Sequence, residues 1–399
     1  MEASAQSRRW TLVAVCTTTF MLLLDITIVV VALPSIQRNL HAGLTGLEWV
    51  VDAYSLTLAA LILTAGALAD RFGRRLLFMV GVVLFTCASL LCGVAWNIAA
   101  LDVARALQGI GGAALFATAL ALIGHEYRGP ERFKAIAIWG ATVGAAVASG
   151  PLVGGIITDT LGWRWVFFVN VPVGVFAVVV ALKQMHESQD PQATRTDFWG
   201  LVTFSAALFL IVFGLLRGNS NGWSSALILA SLIGGAVLLV VFVVIERLQE
   251  RPMLDVTLFR NPAFLGVSLA TFCIGAGMFA LFPFLSIYLQ DVLGYSPLQA
   301  GVRFLPLTGF VFAVPLVTRR FAGKISLRVF LAVGMTLVAA ALLLMHGLTA
   351  SSRWTALLPG LIVAGIGIGL ANPAIAAAAL RVVDPSRTEW PPGSTTPSA

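Results

Sequence analysis

The sequence predicts an all-α, polytopic membrane protein of about twelve spans. Composition is the first reason: 59% of the 399 residues are apolar and 11% are charged, against roughly 25% charged in a soluble domain. The second is that apolar runs recur at a length near that of a bilayer core. The third is that basic residues cluster in every other gap between those runs.

Crossing a bilayer as a helix takes about 20 residues. Runs of that kind lie near 12–34, 49–69, 76–96, 100–124, 134–158 and 165–183. A polar stretch from His186 to Arg195 follows, and six more runs lie near 198–216, 225–246, 263–290, 300–321, 327–348 and 355–380. With a cytoplasmic N-terminus, the inner gaps hold Arg8 and Arg9, then Arg71, Arg74 and Arg75, then Arg128, Arg132 and Lys134, and so on to Arg381 and Arg387. The outer gaps hold Arg38, Arg164, Arg217 and Arg353. About nineteen against about four obeys the positive-inside rule, and one missed helix would scramble the alternation. Trp49, Trp96, Trp163, Trp223 and Trp354 fall in the outer gaps, as an interfacial aromatic belt requires.

Several function classes are excluded. The net charge of +7 is spread through short gaps instead of forming one patch with interleaved aromatics, so topology explains it better than nucleic acid does. Cys16, Cys87, Cys92 and Cys273 lie in apolar runs without C-x-x-C spacing and read as small packing residues, with no metal site or disulfide. Ser7-Arg8-Arg9 faintly resembles the start of a secretion signal, but the run that follows is about 23 residues long and contains Asp25, which favours a retained first helix. No P-loop, HExxH or nucleophile elbow is present, so the chain does not read as an enzyme, no cofactor is expected, and energy must come from an ion or solute gradient unless a partner supplies it.

Charges inside spans are costly, about 2.5 to 3.5 kcal/mol for arginine or aspartate at a helix centre, and therefore point to function. Asp25 lies about nine residues, or roughly 13 Å, from the outer end of the first span, close to the midplane of a ~30 Å core. Lipid disfavours an ionised carboxylate and a nearby guanidinium favours it; alternation between the two is what a proton-coupled carrier needs. A permanently paired structural aspartate is the alternative. Arg105 sits one turn into span four, with Asp102 at its start and Gln108 at i+3, and is either a counter-charge for Asp25 or Asp52 or a residue that snorkels outwards. Asp52 lies nearer the outer surface, where a wetted helix-end group is the plainer reading.

Two further constellations stand out. Gly66-Ala-Leu-Ala-Asp70-Arg71-Phe-Gly73-Arg74-Arg75 reads as a tight cytoplasmic turn whose charges are held by one another or by helix ends. Gly140, Gly144, Gly150, Pro151, Gly154 and Gly155 run along span five, where small-x-x-x-small spacing allows close helix approach and the proline bends the helix. Gly109-Ile-Gly-Gly112 and Gly365-Ile-Gly-Ile-Gly369 share the habit; with no preceding strand they are packing, not a nucleotide fingerprint.

Taken in order, these motifs resemble one family. Leu24-Asp25-Ile-Thr27-Ile-Val-Val30-Val-Ala-Leu33-Pro34 resembles the first-helix signature of the fourteen-helix drug:proton antiporters of the major facilitator superfamily, with Val30 where asparagine is frequent. Gly66 to Arg75 is similar to the superfamily's loop between helices two and three, Arg105-Ala-Leu-Gln108-Gly109 to its fourth-helix motif, and Gly140 to Gly155 to the antiporter motif of helix five. Trp163 to Pro172, Tyr288 to Gly301 and Phe304-Leu-Pro306 extend the likeness. The resemblance implies a six-helix bundle over 1–185, a linker with two inserted helices over 186–250, and a second bundle of four helices over 251–383, about twelve of fourteen helices in all. It further implies efflux of small hydrophobic or amphipathic molecules across the cell membrane by alternating access. Asp25, Arg105 and Asp52 would couple protons, Asp70 with its arginines would latch the cytoplasmic side, and the span-five motif would tie exchange to helix bending. One proton moving down 100 mV releases about 2.3 kcal/mol, enough for a roughly fifty-fold gradient of a neutral solute.

The last residues, Glu389 to Ala399, turn polar and proline-rich and cannot span lipid. With suitable codons and one G restored ahead of them they read Gly-Met-Ala-Ala-Gly-Ile-Asn-Asn-Thr-Phe-Arg, which resembles the family at this point. The expectation is an out-of-frame tail over 384–399 and a chain with weak or no transport; a remnant or partner-binding membrane protein and an uncoupled facilitator are the alternatives.

Overall fold

The structure of the chain, a computed structural model, describes residues 5–188, 198–249, 256–318, 325–349 and 351–383. The tail reading lies outside them. Among the described residues the fold is helical, with eleven helices long and apolar enough to cross a membrane, or twelve with a bent fifth helix counted as one span. In chain order these are α1 Ala5–Leu40, α2 Leu44–Phe72, α3 Arg74–Gly93, α4 Ile98–Glu126, α5 Gly129–Thr160, α6 Trp165–Phe168, α7 Asn170–Gln184, α8 Phe198–Asn221 and α9 Ala226–Leu248. They continue as α10 Pro262–Ile274, α11 Ala280–Ile287, α12 Pro297–Arg303, α13 Leu305–Thr318, α14 Leu327–Leu344 and α15 Leu358–Val383.

Local chemistry explains where helices start. Asn97 caps α4 by accepting from Ala100 N at 2.8 Å, Ser225 caps α9 through Ile228 N, and Asn261 caps α10 through Ala263 N with Pro262 in the first turn. It also explains where expected spans break. A proline cannot bond to the carbonyl four residues before it. Pro172 does this to Phe168, and the sixth span divides into α6 and α7; Pro306 does it to Val302, and the tenth divides into α12 and α13. Pro283 lies in α11 after the π-helical turn Gly275–Phe279, and a second π-helical turn, Tyr288–Val292, follows that helix. In α5 the segments Lys134–Val147 and Ser149–Thr160 are inclined by 45°, in the turn preceding Pro151.

The chain forms two compact units, residues 1–255 with 286–303 and residues 256–285 with 304–399. In the first, α1 packs on α5 and α7, and α4 lies between α2 and α3. The backbone separation there is small: a Cβ on Gly111 would meet Phe85 N at 2.6 Å. Leu22, Phe78, Phe85 and Ile123 fill one part of the interior and Ile28, Leu33, Leu47 and Phe167 another. Helix α8 joins this unit through Ser205, which donates to Ala60 O at 2.8 Å, and α9 packs on α8. In the second unit α10, α13 and α14 surround α15, with Gly367 facing Gly334 O at a Cβ distance of 2.8 Å.

Exposed large apolar residues such as Ile233, Val237, Val240 and Val244 cover α9, the surface expected against hydrocarbon. Two expectations need correction. Trp163 is not in an interfacial belt: it is buried, packs edge-on against Phe167 and donates to Asn39 Oδ1 at 3.3 Å, because the turn before α6 folds back onto α1. Cys92 is a buried packing residue, but Cys87 and Cys273 are exposed on the outer surface.

Candidate functional site

In the first unit four helices bring polar side chains to one point. Asp25, on α1, meets Arg105, on α4, with Nη1 2.5 Å from Oδ2; both side chains are almost wholly buried, at 0% and 1% exposure. Oδ1 of Asp25 accepts from Gln108 Nε2 and from Asn170 Nδ2, each at 2.9 Å. Ser89 Oγ, on α3, accepts from Gln108 Nε2 at 2.8 Å and from Asn170 Nδ2 at 3.3 Å. Three donors and no acceptor around Asp25 is the pattern of an ionised carboxylate.

Arg105 is held through two of its three guanidinium nitrogens. Its Nε donates to Val50 O at 2.8 Å and Nη1 also donates to Gln108 Oε1 at 2.7 Å. Its guanidinium lies 4.3 Å from the Tyr54 ring centre and 5.9 Å from that of Phe167. Cation–π contact of this kind is worth up to about 2 kcal/mol when desolvated. A buried ion pair carries a desolvation cost that is offset when the remaining lone pairs and protons are satisfied, and here the two amides bond Oδ1 of Asp25 while Val50 O and Gln108 Oε1 bond Nε and Nη1 of Arg105. Charge within an apolar span marks Asp25 and Arg105 in the sequence, and i+3 spacing marks Gln108; Ser89 and Asn170 carry no signal as site members, since an uncharged polar residue in an apolar run is common.

Asp52 is not part of this network. It lies two residues beyond Val50, is partly exposed, and among the described residues makes no ion pair or hydrogen bond. The expected counter-charge for Arg105 is therefore Asp25 alone in this conformation.

The loop from Gly66 to Arg75 holds its charges partly by itself. Arg74 Nε and Nη2 donate to Asp70 Oδ1 at 3.0 and 2.8 Å, and Arg71 lies over the Phe72 ring at 5.1 Å. Gly73 turns the chain with φ +119°, a conformation open to glycine. Gly66 faces open space. Sequence reading missed Glu187, whose carboxylate accepts from Arg75 N and Leu76 N at 3.0 Å each and so caps α3. Beside it, Ser188 O accepts from Arg74 N at 2.9 Å, and Arg75 Nη2 donates to Leu182 O at 3.1 Å. The segment after α7 thus closes the turn between α2 and α3.

The glycines of α5 divide in two. Gly140 and Gly144 have nothing within reach of a Cβ. Gly150 sits against the Thr27 side chain and Gly154 against Ile28, whose Cα a Cβ on Gly154 would meet at 3.0 Å, one turn from Asp25 on α1. A Cβ on Gly155 would meet Pro297 O at 2.6 Å, and Gly301 faces Pro151 O. The seam is completed by Gln290, which is buried and donates to Val31 O at 2.8 Å, and by the Arg38–Asp291 pair at 3.7 Å. Among the described residues no cluster of His, Cys, Asp and Glu could hold a metal ion.

Two solved peptide-transporter-type structures share the fold: a POT family transporter in complex with 5-aminolevulinic acid, at TM-score 0.68, 15% identity and 93% and 84% coverage of this chain and that one, and the peptide transporter POT in complex with sulfate, at 0.63, 16%, 94% and 88%. Multidrug resistance protein Stp of Mycobacterium tuberculosis is 37% identical over 382 residues, covering 94% of this chain and 70% of the relative. Puromycin resistance protein pur8 of Streptomyces alboniger is 38% identical over 385 residues, at 94% and 76%. The tetracenomycin C resistance and export protein of Streptomyces glaucescens is 37% identical over 350 residues, at 87% and 65%. The family profile of the Major Facilitator Superfamily matches residues 15–389, and this multi-pass membrane chain, a relative of multidrug resistance transporters, belongs to that superfamily.

Proposed function

We propose that the chain exports drugs or other small hydrophobic and amphipathic molecules across the cytoplasmic membrane in exchange for protons, its N-terminus on the cytoplasmic side. The observation that carries this reading is the Asp25–Arg105 pair, with side-chain exposures of 0% and 1%, inside the first unit. Ionisable residues inside membrane spans are costly and rare, and mark ion or substrate pathways. The relatives named for resistance to puromycin and for tetracenomycin C export support the substrate class, and the inside excess of arginine supports the orientation.

In this reading, proton uptake at Asp25 turns an acceptor oxygen into a donor and leaves Arg105 without its counter-charge. The link between α1 and α4 then loosens. Because Thr27 and Ile28 press on Gly150 and Gly154, a shift of α1 acts on the bent half of α5. Bundles over 1–185 and 251–383 rock about a cavity near the midplane, with 186–250 inserted between them, and the Asp70–Arg74 turn latches the cytoplasmic side. Asp25, Arg105, the 66–75 turn and the 140–155 glycines are the working parts; lipid, protons and the exported solute are the partners.

Puromycin uptake into inside-out vesicles, driven by an imposed proton gradient, tests this. Asp25→Asn should abolish gradient-driven uptake. Uptake in that variant equal to the parent's overturns proton coupling through Asp25 and leaves an uncoupled facilitator.

A further inference from the structure

The proposed exchange creates a physical difficulty at Arg105. Each time Asp25 takes a proton, a guanidinium at 1% exposure keeps only neutral direct contacts: the Val50 carbonyl and Tyr54 ring on α2, Gln108 on its own helix and the Phe167 ring on α6, with Cys92 on α3 and Asn170 on α7 one hydrogen bond further out. An uncompensated charge at such a site is strongly destabilising.

We propose that Asp102 is the second anchor of Arg105, receiving its guanidinium whenever Asp25 is protonated. This rests on the proton-coupled reading given above. Three observations carry it. Asp102 and Arg105 are i and i+3 on α4, so their Cβ atoms lie about 5–6 Å apart on one face. A helical side chain leans toward the helix N-terminus, so Arg105 reaches back over the turn that carries Asp102. Finally, Oδ1 of Asp102 is buried and among the described residues has no hydrogen-bond partner. Buried polar atoms are seldom left so, and this one calls for an explanation.

The Nε bond to the Val50 carbonyl serves as a pivot: with it intact, the terminal nitrogens can turn from Asp25 toward the start of α4. The remaining carboxylates near this end, Asp52 and Glu48, both lie on α2 and outside the network, and Asp102 is the one that shares a helix with Arg105. Asp102 is thus a positioning residue that acts through Arg105. It makes the protonated state of the site accessible and sets where Arg105 rests during that half of the cycle.

The test is a double-mutant cycle on the purified chain, read as folding stability, because Asp25→Asn mimics the protonated carboxyl. Asp102→Asn should cost little while Asp25 is present and roughly tenfold or more in the folding equilibrium in the D25N background, a coupling of about 1.4 kcal/mol. Asp102→Glu should behave as the parent in both backgrounds. Equal losses in the two backgrounds overturn the proposal, as does a larger loss with Asp25 intact. Puromycin uptake by the Asp25→Asn variant separately decides the underlying reading, so the two failures are distinguishable: uptake at the parent's level removes the coupling itself, whereas loss of uptake with an additive stability cycle removes only the role of Asp102.

Discussion

Replacing Arg105 by methionine isolates the electrostatic demand of the site. The substitution keeps much of the apolar stem but deletes the ion pair with Asp25 and the bonds to Val50 O and Gln108 Oε1. Removing one partner of a buried pair costs about 3 to 5 kcal/mol. An upper limit comes from the other partner, since Asp25 can escape a bare buried charge by taking a proton. For an ordinary aspartate near 3.9, that costs 1.36 × (7 − 3.9), or about 4 kcal/mol at pH 7, and about 1.5 kcal/mol at pH 5. The sign follows from linkage: folded R105M holds one more proton than the unfolded chain, so its stability falls as pH rises, by about 1.4 kcal/mol per unit between those values. The assay is thermal unfolding of the detergent-purified chain followed by tryptophan fluorescence, with the parent and the double variant Asp25→Asn, Arg105→Met as references. The R105M unfolding temperature should drop several degrees more at pH 7 than at pH 5, and the double variant should lose that dependence. A flat difference between R105M and the double variant across this range would refute the reasoning.

Three further outcomes are expected. Gly73→Ala should destabilise the chain by about 1–3 kcal/mol, because φ is +119° there and the new methyl would run into the Glu187 carboxylate; a variant with an unchanged unfolding temperature would contradict this. Glu187→Ala removes the cap that accepts from Arg75 N and Leu76 N and should cost about 0.5–2 kcal/mol, visible as faster hydrogen exchange at the first amides of α3. Gly154→Leu should abolish uptake and lower stability, since its side chain has to enter the backbone of Ile28, whereas Gly140→Leu, at a position facing open space, should leave folding unchanged in the same unfolding assay.

Much of the fold was legible because lipid imposes one rule on every span: about 20 apolar residues with their backbone bonded internally. Asp25 and Arg105 were conspicuous because few residues of their kind occur in such runs. Asn170 and Ser89 were not, since their polarity acquires meaning only through partners 145 and 81 residues away in the chain. Glu187 was equally hidden: it lies in a polar linker, where an acidic residue is ordinary, and its role arises 112 residues from the helix it caps. Positions of proline explain in retrospect why the sixth and tenth runs divide, although hydropathy presents each as continuous.

What the amino-acid sequence determined alone is the class of molecule, the number and order of its crossings and the presence of buried charge, because these follow from composition and from periods shorter than one helix. Which buried charges meet, and which stand apart, was decided by tertiary packing. Asp25 and Asp52 look alike as carboxylates in apolar helices, yet only the first points to where α1, α3, α4 and α7 converge. The physical reason is that a guanidinium in a low-dielectric interior is satisfied by groups within hydrogen-bond reach, and that reach spans helices far apart in the chain.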